Sequence, residues 1–173
     1  MIIRKLTKED LHTRVEWMNN PKIYSSMHFD IPILMDKTIE WFDRNQSRND
    51  RVDLTICDSE DNESKIIAFA GIVSIDKTIG KAETYLFVNP DCLGKGYGSK
   101  AKALMIDYAF HDLSLNKLYV ITNEDNYASN RIQVKFGYKL EGRFRQEYIT
   151  NDGLLKDRLY WGLLKSDWET FRR

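Results

Sequence analysis

Two periods of apolar residues run along this chain, and the points where one gives way to the other outline its elements. Val52, Leu54 and Ile56 alternate with polar neighbours at strand spacing, and residues 2–6, 66–75, 82–88 and 117–122 form further strand patterns. Helical spacing appears first in Leu11, Val15 and Met18, preceded by Thr7 and Asp10 in a capping-box pattern with Asp in the usual Glu place. Asn19-Asn20-Pro21 ends that helix, and residues 22–34 read as irregular. Ile39 and Phe42 share one side of a second helix from Asp36 to about Gln46, and Trp17 and Trp41 are expected to help bury the pair. From Ser99 the residues Ala101, Met105, Tyr108, Ala109 and Leu113 predict one longer helix. A short helix over 128–136 closes at Gly137, the place of a left-handed terminus. Two long strands, 138–149 and 154–164, follow, joined by the hairpin sequence Asn151-Asp152-Gly153. The order predicts an α+β fold in which helices flank one mixed, mainly antiparallel central sheet, with the strands at 52–56, 66–75 and 82–88 forming a meander.

Composition narrows the partners. The 173 residues suit a single domain, and 26 basic residues balance 26 acidic ones, so nothing calls for nucleic acid or a membrane surface. No apolar run approaches the roughly 20 residues of a membrane span, and Met1 leads directly into a strand pattern, so a cytoplasmic protein is expected. Cys57 and Cys92 stand alone, and His12, His28 and His111 have no ligand spacing, so neither a metal site nor a disulfide framework is expected. The acidic run 58–64 reads as a solvated turn.

Candidate chemistry centres on residues 82–113, where a strand passes through Gly94-Lys95-Gly96-Tyr97-Gly98 into a helix. Glycines ahead of a helix let the backbone approach a ligand, and the unpaired amides of the first turn suit a phosphate. A nucleoside-triphosphate loop needs Ser or Thr after its Lys, but Gly96 follows Lys95. A dinucleotide fingerprint fits Gly96 to Ala101 in relaxed form only. Five residues separate the strand from Gly94, and no acidic residue lies about twenty positions beyond Gly98 to hold a ribose.

The segment Leu93-Gly94-Lys95-Gly96-Tyr97-Gly98 resembles the coenzyme A loop of the GNAT superfamily of acyl-CoA-dependent N-acetyltransferases. Gly96 and Gly98 match, and Leu93 departs from the family's polar first residue. Downstream, Asn126-Tyr127-Ala128-Ser129-Asn130 and Lys135-Phe136-Gly137-Tyr138 resemble the family's second motif. Within the superfamily the chain looks closest to the group of ribosomal-protein alanine, spermidine and amino-sugar acetyltransferases. The resemblance implies a sheet of about six to seven strands with a splayed pair that holds acetyl-CoA as co-substrate. Phe87, Val88 and Asn89 would end the strand beside the pantetheine, Leu93 to Ser99 would take the pyrophosphate, and Asn126, Ser129 and Asn130 would face the pantetheine and thioester. Lys95, Lys100, Arg131 and Lys135 are candidates for the nucleotide phosphates, and a homodimer is common among relatives.

Amide formation from a thioester needs a base for the amine and an acid for the departing thiolate. Glu83, where several relatives carry a catalytic Glu, is the candidate base. Gln133 stands where many relatives place the Tyr acid, which leaves the Ser129 hydroxyl as the candidate donor to sulfur, ahead of Tyr138 and Tyr148. Cys92 reads as a plain loop thiol. For the acceptor, Tyr24, His28 and Asp30 are the candidate contacts. Polyamine acetyltransferases carry paired acidic residues in this region, whereas the segment His28-Phe29-Asp30-Ile31-Pro32 has only Asp30. The expectation is a small amine or amino sugar, with a protein N-terminus and a non-catalytic acyl-CoA-binding module as alternatives.

Overall fold

The first turn of the chain is fixed by one carboxylate. Strand β1 (Ile2–Lys5) leads to Thr7, which closes the expected capping box with Asp10 across a short 3-10 turn, and α1 (Leu11–Met18) follows. Asp10 accepts from Thr7 N at 3.0 Å, from Arg4 Nη1 and Nη2 at 2.6 and 2.8 Å, and from Thr55 Oγ1 at 2.8 Å. Helix start, β1 and β2 (Val52–Cys57) are thus tied through a single side chain.

The computed structural model describes residues 1–25, 27, 31–60, 64–150 and 153–172. Within them, Pro21 does more than end α1. Asn20 Oδ1 accepts from Lys22 N at 3.0 Å and caps a one-turn helix, α2 (Pro21–Tyr24), inside the stretch read as irregular. Proline suits the first helical position because its missing N–H would have no partner there. α3 (Met35–Gln46) precedes β2, and β3 (Ile66–Asp76) and β4 (Lys81–Val88) continue the meander. After a 3-10 turn at Pro90–Cys92, α4 (Tyr97–Asp107) passes into a π-helical turn, Tyr108–Asp112. The single helix expected from Ser99 to Leu113 is therefore broken in type. Met105, Ile106, Ala109 and Phe110 are all fully buried across this change of type. β5 (Lys117–Asn123), α5 (Tyr127–Lys135), β6 (Lys139–Ile149) and β7 (Leu155–Leu164) follow. Gly137 has φ +76°, as a left-handed helix terminus requires. Asn151 and Asp152 of the β6–β7 connection lie outside the described residues.

A last helix, α6 (Lys165–Phe171), was not expected from sequence. Trp168 anchors it, with Nε1 donating to Asp107 Oδ1 at 2.8 Å and its rings 6.0 Å from Phe136 and 5.7 Å from Phe171.

Among the described residues seven strands form one mixed sheet in the order β1-β2-β3-β4-β5-β7-β6, antiparallel at β1/β2, β2/β3, β5/β7 and β6/β7 and parallel at β4/β5. The chain divides into two compact units, Met1–Val73 with Tyr85–Met105, and Ser74–Thr84 with Ile106–Arg173. The first packs Leu6, Leu11, Trp17, Phe42, Phe69 and Phe87 into one apolar cluster. In the second, Ala82, Phe110, Leu118 and Leu163 are fully buried, and Trp161 Nε1 donates to Thr122 Oγ1 at 2.9 Å. Among the described residues no helix is long and apolar enough to cross a membrane.

Burial opposes the charge of Asp10, yet the bonds from Arg4, Thr7 and Thr55 outweigh it and hold the carboxyl below its ordinary 3.8. A depressed folded pKa gives stability that is present above the unfolded value and is lost as pH falls through the folded one. Asp10→Asn is expected to lower unfolding free energy at pH 7 by about 2 kcal/mol, less than a fully buried pair because Arg4 stays partly in water. In urea unfolding the gap between wild type and variant should shrink below about pH 4; equal stability at pH 7 would show that Asp10 is not the tie.

Candidate active site

The glycine loop grows from the end of β4. Asn89 is buried and fully engaged. Its N–H donates to Ile67 O at 2.8 Å, its Nδ2 to Ile66 O at 3.3 Å, and its Oδ1 accepts from Asp91 N at 2.9 Å. This pins the loop's entrance to β3. Gly94 and Gly96 then take φ of +74° and +82°, and a Cβ at either would meet nothing within 4 Å. Backbone conformation, not crowding, requires glycine at both. Gly98 differs, since its Cβ would stand 3.3 Å from Val88 Cγ2, where α4 crosses close to the strand. The first turn of α4 leaves the amides of Tyr97 and Gly98 outside the helix's own hydrogen-bond ladder. With Leu93, Lys95 and Lys100 exposed and Phe87 buried, this is an amide-rich loop whose shape and donors fit a pyrophosphate.

The Glu83 neighbourhood lies in the second unit. The parallel β4–β5 ladder comprises Lys81↔Lys117, Ala82↔Leu118 and Glu83↔Tyr119, so Glu83 sits at its last pair. Burial raises the Glu83 carboxyl above its ordinary 4.5, while a hydrogen bond from Tyr119 and the charge of Arg158 work against the rise. Tyr119 stacks on Tyr160 at 4.9 Å, which holds the phenol in place.

α5 is organised by asparagines. Asn126 Oδ1 accepts from Ser129 N at 3.1 Å and caps the helix. The Asn130 carboxamide is used within the fold, with Oδ1 accepting from Thr122 Oγ1 at 2.5 Å and Nδ2 donating to Asn123 O and Glu124 O at 3.2 and 3.0 Å. Ser129 is half-buried, and Gln133 Nε2 approaches its Oγ at 3.4 Å. Lys135 and Arg131 are exposed on the same helix. Burial pushes the Tyr138 phenol far up, and burial together with Asp125, which accepts from the Tyr148 hydroxyl at 2.6 Å, does the same to Tyr148.

Within the first unit a cavity of about 580 Å³ opens beside β4. Its apolar wall includes Met18, Leu34, Trp41 and Phe87, and Arg14, Lys37 and Arg51 supply its charge. Tyr85 crosses the floor, donating to Asp53 Oδ1 at 2.7 Å and accepting from Arg14 Nη2 at 3.3 Å. Burial and Asp53 push its phenol up to about 12, with Arg14 opposing. Met27 and Pro32–Leu34, from the segment expected to govern acceptor choice, join the wall. Tyr24 is half-buried at the end of α2 and is not part of the lining. His28 and Asp30 lie outside the described residues. Arg14, Trp41, Arg51 and Tyr85 were not proposed as site residues from sequence. Among the described residues no cluster of three or more His, Cys, Asp or Glu side chains is gathered for a metal, and Cys57 and Cys92 are buried thiols.

Comparison with known proteins fits this geometry. The acetyltransferase (GNAT) domain family matches residues 1–139. The spermidine N(1)-acetyltransferase of Escherichia coli K12 is 27% identical over 156 residues, covering 86% of this chain and 78% of its own. YdaF of Bacillus subtilis, named as a ribosomal N-acetyltransferase, is 28% identical over 62% of this chain and 58% of its own. A crystal structure of spermidine N-acetyltransferase from Vibrio cholerae in complex with CoA and spermine superposes with a TM-score of 0.89 over 97% of each chain at 23% identity, a likeness of fold. The chain belongs to the GNAT acetyltransferase domain family, and it is an acetyl-CoA-dependent N-acetyltransferase.

Gly96→Ala forces a side chain into the left-handed region, a strain of about 1 kcal/mol. The variant should lose about that much stability in thermal unfolding and bind coenzyme A several-fold more weakly by calorimetry; undiminished binding would remove Gly96 from the loop's function.

Proposed function

We propose that the acyl acceptor is a small primary amine, with Glu83 as the base that takes its proton and Ser129 as the donor to the leaving sulfur. The observation that carries this reading is the half-buried Glu83 carboxylate, raised by burial and hydrogen-bonded by Tyr119, at the last pair of the β4–β5 ladder. The relative named as a spermidine acetyltransferase, which also works on an amine, supports it.

Acetyl-CoA, bound as co-substrate, supplies the activated thioester carbonyl. In this reading the amides from Leu93 to Ser99 hold the pyrophosphate, Phe87, Val88 and Asn89 end the strand beside the pantetheine, and Asn126, Ser129 and Asn130 are the α5 residues assigned to the pantetheine and thioester. Lys95, Lys100, Arg131 and Lys135 are the cations for the nucleotide phosphates. An alkyl amine with a pKa of about 10 is mostly protonated near neutrality. A carboxylate lifted towards neutral pH is a better base than an ordinary Glu, because its proton affinity approaches the working pH. Positioning of the neutral amine supplies much of the remaining acceleration. A protein N-terminus, suggested by the name of the ribosomal relative, is the second reading. The proposal places the enzyme in the cytoplasm as a homodimer that needs no metal.

Release of free coenzyme A thiol with a panel of amines and N-terminal peptides tests this directly. Small amines should raise release above the hydrolysis background; peptides alone doing so would favour the second reading, and no acceptor doing so would end the amine assignment. Glu83→Gln should lower kcat/KM by about a hundredfold and flatten the acidic limb of its pH profile. Tyr119→Phe removes a bond that favours the ionised carboxylate, so the limb should move to higher pH. An unchanged limb in both variants would exclude Glu83 as the base.

A further inference from the structure

Charge in the first-unit cavity is unevenly balanced. Arg51 is neutralised within the fold, because Asp53 accepts from its Nε at 2.9 Å and its Nη2 at 2.8 Å. Lys37 reaches Glu40 at 3.2 Å on the exposed side of α3. Arg14 is different. It is 6% exposed, and its guanidinium lies 4.9 Å from the Trp41 ring and 5.0 Å from the Phe87 ring. Of its five N–H donors, one is directed at Tyr85 Oη, 3.3 Å away. Among the described residues no carboxylate lies within 4.0 Å of it, and no Asp or Glu lines the cavity.

A buried guanidinium without a carboxylate is costly unless something anionic completes it. Arginine also presents a planar fork of donors that matches carboxylate and phosphate oxygens. The aromatic rings around Arg14 hold the fork without neutralising it. The volume of about 580 Å³ is that of a small-molecule site. A polyamine fits these walls poorly, since its further ammonium groups would face cations and apolar side chains. We infer that the cavity selects an amine acceptor that also carries an oxyanion, a carboxylate or a phosphate, and that Arg14 binds that group. The inference rests on the amine acetylation proposed above and names the class of amine.

Matched acceptors differing only in the anion test it by thiol release: glucosamine 6-phosphate against glucosamine, and an amino acid against its amide, with spermidine as the polycation. In the wild-type enzyme the anionic member of at least one pair should lead in kcat/KM by about tenfold or more, and the pair that responds tells phosphate from carboxylate. Arg14→Gln should reduce that preference ratio by about tenfold, chiefly through KM for the anionic acceptor. Arg14→Lys should restore part of it, because the charge returns without the fork. If Arg14→Gln does not fold, the wild-type pairs and Arg14→Lys still decide. Spermidine or the uncharged members leading in the wild type would overturn the inference and leave the amine assignment standing, as would a preference ratio untouched in Arg14→Gln. No amine being acetylated would remove both.

Discussion

Much of the first unit depends on where the ring of Tyr85 lies. It rests on Gly71 of β3 so closely that a Cβ there would collide with it. Its hydroxyl donates to Asp53, and Arg14 donates to it in turn. A tyrosine in that position does two things together. It gives Asp53 a third hydrogen bond besides the two from Arg51, and it seats Arg14 without giving Arg14 a counter-charge. The cavity's electrostatic character follows from this order of preference. Asp53 is committed to Arg51, so the positive charge left over belongs to Arg14. A side chain at Gly71 would push the ring aside and undo the arrangement, which is why a glycine inside a β-strand, otherwise unfavourable, has a reason here.

The second unit handles charge in the opposite sense. Glu83 is an acid kept partly out of water, and its charge is tempered by a phenol and a more distant guanidinium instead of a direct ion pair. A close cation would lower its pKa and make it a weaker base; Tyr119 lowers the pKa only in part and at the same time fixes the carboxylate's direction. Stacking of Tyr119 on Tyr160 limits the phenol's freedom and so keeps that direction constant. The carboxylate can therefore be oriented without being silenced.

What could be read in the sequence was local. The capping box at Thr7 and Asp10, the strand alternation of residues 52–56 and the left-handed Gly137 all follow from neighbouring residues or backbone conformation. The one-turn helix at Pro21 was misread because proline ends one helix and begins the next equally well, and only the Asn20 cap distinguishes the cases. The π-helical turn at Tyr108 escaped because its apolar residues still fall near helical spacing. The cavity could not be read at all. Arg14 and Tyr85 are 71 positions apart, and nothing in either neighbourhood says that they meet. Arg14 lies on a helix with a mixed surface, where an arginine is ordinarily solvated, and its meaning appears only once Trp41 and Phe87 are seen to enclose it.

The absence of tyrosine at position 133 bears on the leaving group. Gln133 cannot titrate, Tyr148 is bound to Asp125, and burial has carried the Tyr138 phenol out of useful range, so none of the three is suited to give up a proton near neutrality. A thiolate, however, is a modest base. With a thiol pKa of about 8.5 it departs without the full proton transfer that an alkoxide would require. A hydrogen bond that grows as charge gathers on sulfur is enough, and a hydroxyl serves for that without an altered pKa. Gln133 Nε2 approaches one lone pair of Ser129 Oγ, and a serine oxygen carries one donor and two acceptor positions, so that approach leaves its O–H to point elsewhere. In the proposed mechanism Gln133 does not replace the acid; it directs the Ser129 hydroxyl, the group proposed to take the acid's place.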